Sequence, residues 1–155
     1  MTSLFGALVF FHVVTIKETL FMQPTPATIL IVENEVPNRI LVERVLSTRG
    51  YRCISASNGK EALDLLDREP VDLVLTDLSM PVLDGYRTAQ LIRMRPHLAT
   101  VPIVAVTAYA LGDEVEAAKR MGCTDYLTKP FKPRQLLELV ERLLPKQHQE
   151  GTRNV

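Results

Sequence analysis

From Thr28 onward, short and wholly apolar runs alternate with longer stretches whose apolar residues recur every three or four positions. Thr28–Val32 (TILIV) is too short for a helix and has no polar face, as expected of a strand covered on both sides. Pro37–Arg49 reads as a helix, with Ile40, Leu41, Val45 and Leu46 as its apolar positions and Gly50 as its stop. Tyr51–Ala56 is a second strand. Asn58 caps a second helix, with Glu61 three residues on in a capping-box-like arrangement, and Pro70 ends it after Glu69. The third strand is Val71–Thr76, and Asp84 and Gly85 then open a helix to about Arg95. Val101–Val106 is the fourth strand, Asp113–Met121 a short helix stopped by Gly122, and Asp125–Thr128 the fifth strand. Pro133 starts a last helix that ends near Leu144.

Five strands alternating with five helices predict an α/β domain over residues 27–144. Right-handed crossovers force parallel pairing and place helices on both faces, giving a doubly wound sheet. Ligands of such sheets bind outside the carboxyl ends of the strands. The residues that follow strands one, three, four and five are therefore expected in one cleft.

The ends of the chain read differently. Leu4–Val14 is an apolar run interrupted by Gly6 and His12 and closed by Lys17 and Glu18. It falls short of the roughly 20 residues a spanning helix needs, and Met1-Thr2-Ser3 supplies no basic start for a secretory signal. Residues 1–26 are expected to lie outside the domain, as a short appended helix or as an extension, with Met22 a candidate natural start. The polar tail 145–155 has no periodicity and is expected to fray; nothing after the last helix has the length of an output domain.

Composition narrows the function. Lys plus Arg and Asp plus Glu both total 18, so the charge balance offers no footprint for nucleic acid or an anionic membrane. Cys53 and Cys123 are isolated, in no metal-binding or redox spacing, and read as packing residues of a cytoplasmic, reduced protein. His12, His97 and His148 are scattered.

The predicted cleft has a chemical logic. Glu33, Asn34 and Glu35 follow the first strand, Asp77 the third, Thr107 the fourth and Lys129 the fifth. Clustered carboxylates suit a hard divalent cation such as Mg²⁺. A carboxylate can attack phosphorus to form an acyl phosphate, while an ammonium and a hydroxyl neutralise the transferring oxygens. Taken singly, each residue has a plainer reading: Asp77 as a turn residue, Lys129 as a surface charge, Thr107 as a strand former, Glu33 and Glu35 as helix N-terminal acids, and Tyr126 as core.

Asp77 in TDLSMPVLDG, Thr107 in PIVAVTA, Lys129 in YLTKPF and the acidic start after ILIV together resemble the receiver domain of two-component response regulators, over about Ala27 to Leu144. The resemblance implies the flavodoxin-like strand order 2-1-3-4-5. It implies that Asp77 accepts a phosphoryl group from a histidine kinase or histidine phosphotransfer protein. It further implies that Glu33, Asn34, Asp77 and the backbone carbonyl of Ser79 surround Mg²⁺, and that Lys129 contacts the phosphoryl group beside a cis bond to Pro130. Thr107 and Tyr126 would act as switch residues. They would alter the face of the fourth helix, fifth strand and fifth helix for a downstream protein partner. Ser79 and Tyr109 hold the positions that set phosphoryl lifetime. Such a protein is no conventional enzyme, since it catalyses only its own phosphorylation and dephosphorylation.

One departure stands out: Asn34 replaces the usual second aspartate and removes a negative charge from the metal site. It motivates an alternative, a receiver-like interaction module independent of phosphorylation. Two rivals fit poorly. A hydrolase with Asp77 as nucleophile would want an aspartate where Ser79 stands. A nucleotide or flavin binder would want a Gly/Ser-rich loop in place of Glu33–Pro37.

Overall fold

Five strands, β1 (Thr28–Val32), β2 (Arg52–Ala56), β3 (Leu73–Asp77), β4 (Ile103–Thr107) and β5 (Asp125–Thr128), pair in parallel in the order β2-β1-β3-β4-β5. The computed structural model describes residues 25–109 and 111–144. The N-terminal apolar run, Met22 and the C-terminal tail lie outside the described residues. Five helices join the strands: α1 (Val36–Ser47), α2 (Gly59–Leu66), α3 (Gly85–Arg93), α4 (Gly112–Arg120) and α5 (Pro133–Leu143), with a 3₁₀ turn at Pro96–Leu98.

Strand alternation divides the core into two layers. Ile29 and Ile31 of β1 face Leu46 of α1 and Leu136, Leu139 and Val140 of α5. Leu30 and Val32 face the other way, toward Ala62 and Leu66 of α2, Ala89 and Ile92 of α3 and Ala118 of α4. Every residue of β1, β3 and β4 is buried, whereas the edge strands β2 and β5 are partly exposed. Burying each such Leu or Ile contributes on the order of 1.5–3 kcal/mol, which makes the central strands a stiff platform for what their ends carry.

Several expected boundaries move for physical reasons. β4 starts at Ile103 rather than Val101, because Pro102 has no N–H for the ladder and the 3₁₀ turn takes up the preceding chain. β3 starts at Leu73, since Asp72 turns outward and its carboxylate accepts the Thr28 N–H at 2.7 Å. Both β3 and β4 run one residue further than expected, so Asp77 and Thr107 are the last residues of their strands. Helix α2 stops at Leu66, where the N–H groups of Arg68 and Glu69 turn back onto the Leu65 carbonyl.

Two local expectations are corrected. Asn58 does cap α2, accepting the Glu61 N–H at 2.9 Å, but Glu61 reaches the N–H and hydroxyl of Ser57, not the cap residue. In α1, Ile40 and Leu41 are exposed while Leu46 packs with Val42 and Val45. The apolar residues of α1 run too far around the helix for one stripe to hold them, and only the stripe nearest the sheet is buried.

Gly85 opens α3 directly against β3. A Cβ built there would lie 2.1 Å from the carbonyl oxygen of Asp77 and 2.7 Å from Leu78 Cα. Only glycine lets the helix start this close to the backbone of Asp77. Asp84 caps the helix by accepting the Arg87 N–H at 2.8 Å. Cys53 and Cys123 are free thiols, and burial pushes both up to about 11, which suppresses the reactive thiolate.

Candidate functional site

The order of strands reverses between β1 and β3, and the sheet register decides what meets there. Val32 pairs with Thr76, and Asp77 with Val106. Glu33 and Asp77 therefore stand side by side at the carboxyl edge. Thr107 pairs with Thr128, and the Lys129 N–H donates to the Thr107 carbonyl at 2.7 Å, which brings Lys129 to the same edge. The Lys129–Pro130 peptide is cis.

The centre of the site is an ammonium between two carboxylates. Lys129 Nζ donates to Glu33 Oε2 and to Asp77 Oδ2, each at 2.8 Å. Glu33 and Asp77 are 6% and 9% exposed, so neither charge is solvated freely. Two buried like charges side by side are costly, and the shared ammonium offsets that cost. Desolvation works against the Lys129 charge. The hydrogen bonds and attraction from Asp77 and Glu33 outweigh it and hold the lysine above its ordinary pKa.

Backbone donors fix the remaining geometry. The Ser79 N–H donates to Asp77 Oδ1 at 2.9 Å, and the Glu35 N–H to Glu33 Oε1 at 3.0 Å. Each Asp77 oxygen thus accepts one hydrogen bond, and a carboxylate has roughly four acceptor sites in all. Thr107 is buried at the end of β4, its hydroxyl accepting the Tyr109 N–H at 3.0 Å. An opening of about 390 Å³ adjoins the charged cluster. Leu41 and Val42 of α1, with Ala108, Phe131 and Leu136, form its apolar wall, and Asp77 and Lys129 line its polar side.

The residues expected in one cleft are not gathered equally. Glu33, Asp77 and Lys129 are in contact, whereas Thr107 meets Lys129 through the backbone alone and its hydroxyl turns to Tyr109 and Glu114. Asn34 and Ser79 are exposed. Glu35 turns to α1, where its carboxylate accepts from Asn38 Nδ2 at 2.8 Å, and does not join Glu33 and Asp77. Tyr126 and Tyr109 are exposed, at 40% and 64%.

The donor chemistry suits Mg²⁺. Glu33 and Asp77 already converge on one cation, the ammonium, and the Asn34 amide and Ser79 carbonyl are hard oxygen donors of the kind Mg²⁺ takes alongside retained waters. With Asn34 in the second position, two carboxylates and one lysine leave the site at a formal charge of about −1. Among the described residues there is no group of three or more His, Cys, Asp or Glu side chains suited to a metal, which follows from Asn34 and from the turned Glu35.

Two residues with evident roles in this geometry carry no motif. Arg39 of α1 donates to the Glu33 carbonyl at 2.8 Å and pins the loop after β1. Glu114 of α4 approaches the Thr107 hydroxyl at 3.5 Å. The only sequence signal for either is its placement in the first turns of a helix that follows a site loop.

The family model of the response regulator receiver domain matches residues 29–141. An uncharacterized 14.6 kDa protein from the sodA1 3′ region of Leptolyngbya boryana is 40% identical over 114 residues, covering 74% of this chain and 87% of that protein. The sensor histidine kinase GacS of Pseudomonas protegens is 37% identical over 115 residues, 72% of this chain but only 12% of the kinase. Among solved structures, the receiver domain of the Pseudomonas aeruginosa sensor histidine kinase PA1611, crystallised with magnesium in its active-site cleft, superimposes with a TM-score of 0.71. It is 36% identical, and the match covers 76% of this chain and 97% of that domain. The chemotaxis protein CheY4 of Vibrio cholerae gives a TM-score of 0.75 at 30% identity, covering 77% and 99% of the two chains.

Proposed function

This chain belongs to the response regulator receiver family of two-component signalling, and from that premise we propose that it works as a stand-alone switch phosphorylated on Asp77. Receivers are phosphoacceptor modules and not conventional enzymes. The observation that carries the reading is the Lys129 ammonium 2.8 Å from both Asp77 and Glu33 at the carboxyl edge of the sheet.

In the proposed reaction an Asp77 carboxylate oxygen attacks the phosphorus of a phosphohistidine on a kinase or phosphotransfer protein. The P–O bond forms as the P–N bond breaks, and the imidazole leaves with the bonding pair and takes up a proton. The Ser79 N–H holds Asp77 Oδ1 and so aims the carboxylate. Lys129 follows the charge onto a phosphoryl oxygen, and Thr107 donates its hydroxyl to another. Glu33, Asn34, Asp77 and the Ser79 carbonyl would hold Mg²⁺, which supplies further charge neutralisation when bound. Tyr126 would turn inward behind Thr107 and reshape the face of α4, β5 and α5. Exposed Tyr109, Leu111 and Tyr126 on that side support its use as a protein-binding surface. The two free thiols suit a cytoplasmic setting. No helix among the described residues is long and apolar enough to cross a membrane.

A second reading, a receiver-like module that signals without phosphorylation, is favoured by one observation, the missing charge at Asn34. Incubation with acetyl phosphate and Mg²⁺ separates the two. Uptake of one phosphoryl group supports the switch, and none under conditions that load a control receiver supports the module.

Asn34→Asp is expected to tighten Mg²⁺ binding by on the order of tenfold, because ligand charge count tunes such sites; titration followed by NMR checks it, and an unchanged affinity would refute the role given to Asn34. Tyr109→Ala is expected to shorten the phosphoryl lifetime several-fold by opening a path for the attacking water, as read from decay of the labelled protein. Equal decay rates would remove Tyr109 from the account.

A further inference from the structure

Thr107 must deliver its hydroxyl to the phosphoryl group, yet in this structure that hydroxyl is engaged elsewhere. Its oxygen accepts the Tyr109 N–H at 3.0 Å and lies 3.4 Å from the Tyr109 carbonyl and 3.5 Å from Glu114 Oε2. Among the described residues no hydrogen bond joins Thr107 to Asp77. A hydroxyl has one proton to donate, and a carboxylate is the stronger of the two acceptors. Glu114 lies in the first turn of α4, anchored through its own N–H to the Leu111 carbonyl at 3.0 Å. Thr107 is only 5% exposed, so it changes partners by stepping between χ1 rotamers and not by drifting.

We propose that Glu114 is a positioning residue that latches Thr107 in the rotamer turned away from Asp77, and that release of this latch couples the site to α4. The contact joins the end of β4 to the first turn of a different element, so Thr107 cannot turn toward Asp77 without freeing the Glu114 carboxylate. By linkage, whatever draws Glu114 off Thr107 favours the Thr107 orientation that a phosphoryl group needs. A basic side chain of a partner docked on α4 has the right chemistry to do so. The plainer reading is that Tyr109 alone holds Thr107 and Glu114 is a solvated acid at a helix N-terminus; rotamer populations distinguish them.

The latch itself needs no phosphorylation, whereas its consequence for the switch rests on Asp77 being the phosphoacceptor. The first measurement is therefore the χ1 population of Thr107, from three-bond couplings to its methyl group in the full chain without a phosphodonor. Wild type and Glu114→Gln, which keeps an acceptor oxygen, are expected to hold one rotamer, and Glu114→Ala to populate a second several-fold more. The second measurement is the apparent affinity for beryllofluoride with Mg²⁺. Glu114→Ala is expected to tighten it by about 2–5-fold, the worth of one modest hydrogen bond, and to have no effect in a Thr107→Ala background. An unchanged Thr107 rotamer in Glu114→Ala overturns the latch, as does an equal affinity gain with Thr107 absent. If beryllofluoride binds to neither protein, the phosphoacceptor reading fails while the rotamer populations still decide the latch.

Discussion

Asp77→Asn is expected to abolish phosphoryl uptake, a fall of at least about a thousandfold, while leaving the fold in place. The amide has the size of the carboxylate, but its oxygen lacks the charge needed to attack phosphorus. Structurally the loss is small. The amide oxygen can still accept the Ser79 N–H, and Lys129 retains Glu33 at 2.8 Å. One ion pair disappears, and so does the repulsion between two buried carboxylates, so stability should change by no more than about 1–2 kcal/mol. Uptake from a small-molecule donor, measured beside a thermal melt, separates chemistry from folding. Near wild-type uptake by the variant would mean that another residue accepts the phosphoryl group.

Gly85→Ala is expected to destabilise the domain by about 2–4 kcal/mol, against the usual sign for this exchange in a helix, where alanine is favoured by about 1 kcal/mol. The new Cβ would sit 2.1 Å from the Asp77 carbonyl oxygen and 2.9 Å from its carbon. Those are backbone atoms of a buried strand and cannot swing aside as a side chain would. The helix or the strand must shift, and a shift of the strand moves Asp77. Gly112, which opens α4, has nothing within 4 Å of the position a Cβ would take, so Gly112→Ala should be neutral or slightly stabilising. Urea unfolding of the two variants tests the contrast. Equal effects would show that close approach at Gly85 does not limit the fold.

Much of this architecture was legible in the sequence because its punctuation is local. Short apolar runs bounded by proline and glycine marked the strands, and β1 and β5 fall where they were expected, at Thr28–Val32 and Asp125–Thr128. Alternation of strands and helices then forced parallel pairing, which sends Glu33, Asp77, Thr107 and Lys129 to one edge whatever the loops do. What escaped the sequence was decided by tertiary choice. Ile40 and Leu41 match the helical period as well as Leu46 does, and only the neighbouring α5 and sheet determine which is buried. Glu35 sits close to Glu33 in sequence yet turns to Asn38, because the turn into α1 aims it there. The approach of Glu114 to Thr107 depends on how α4 leaves the sheet, and the spacing of the two residues along the chain says nothing about that.

The most direct test is to map the phosphoryl group by mass spectrometry after incubating the whole chain with acetyl phosphate and Mg²⁺. One hydroxylamine-labile phosphoryl group on Asp77, absent from Asp77→Asn, is the predicted result. An unmodified Asp77, whether the protein stays unphosphorylated or carries the group elsewhere, would contradict it.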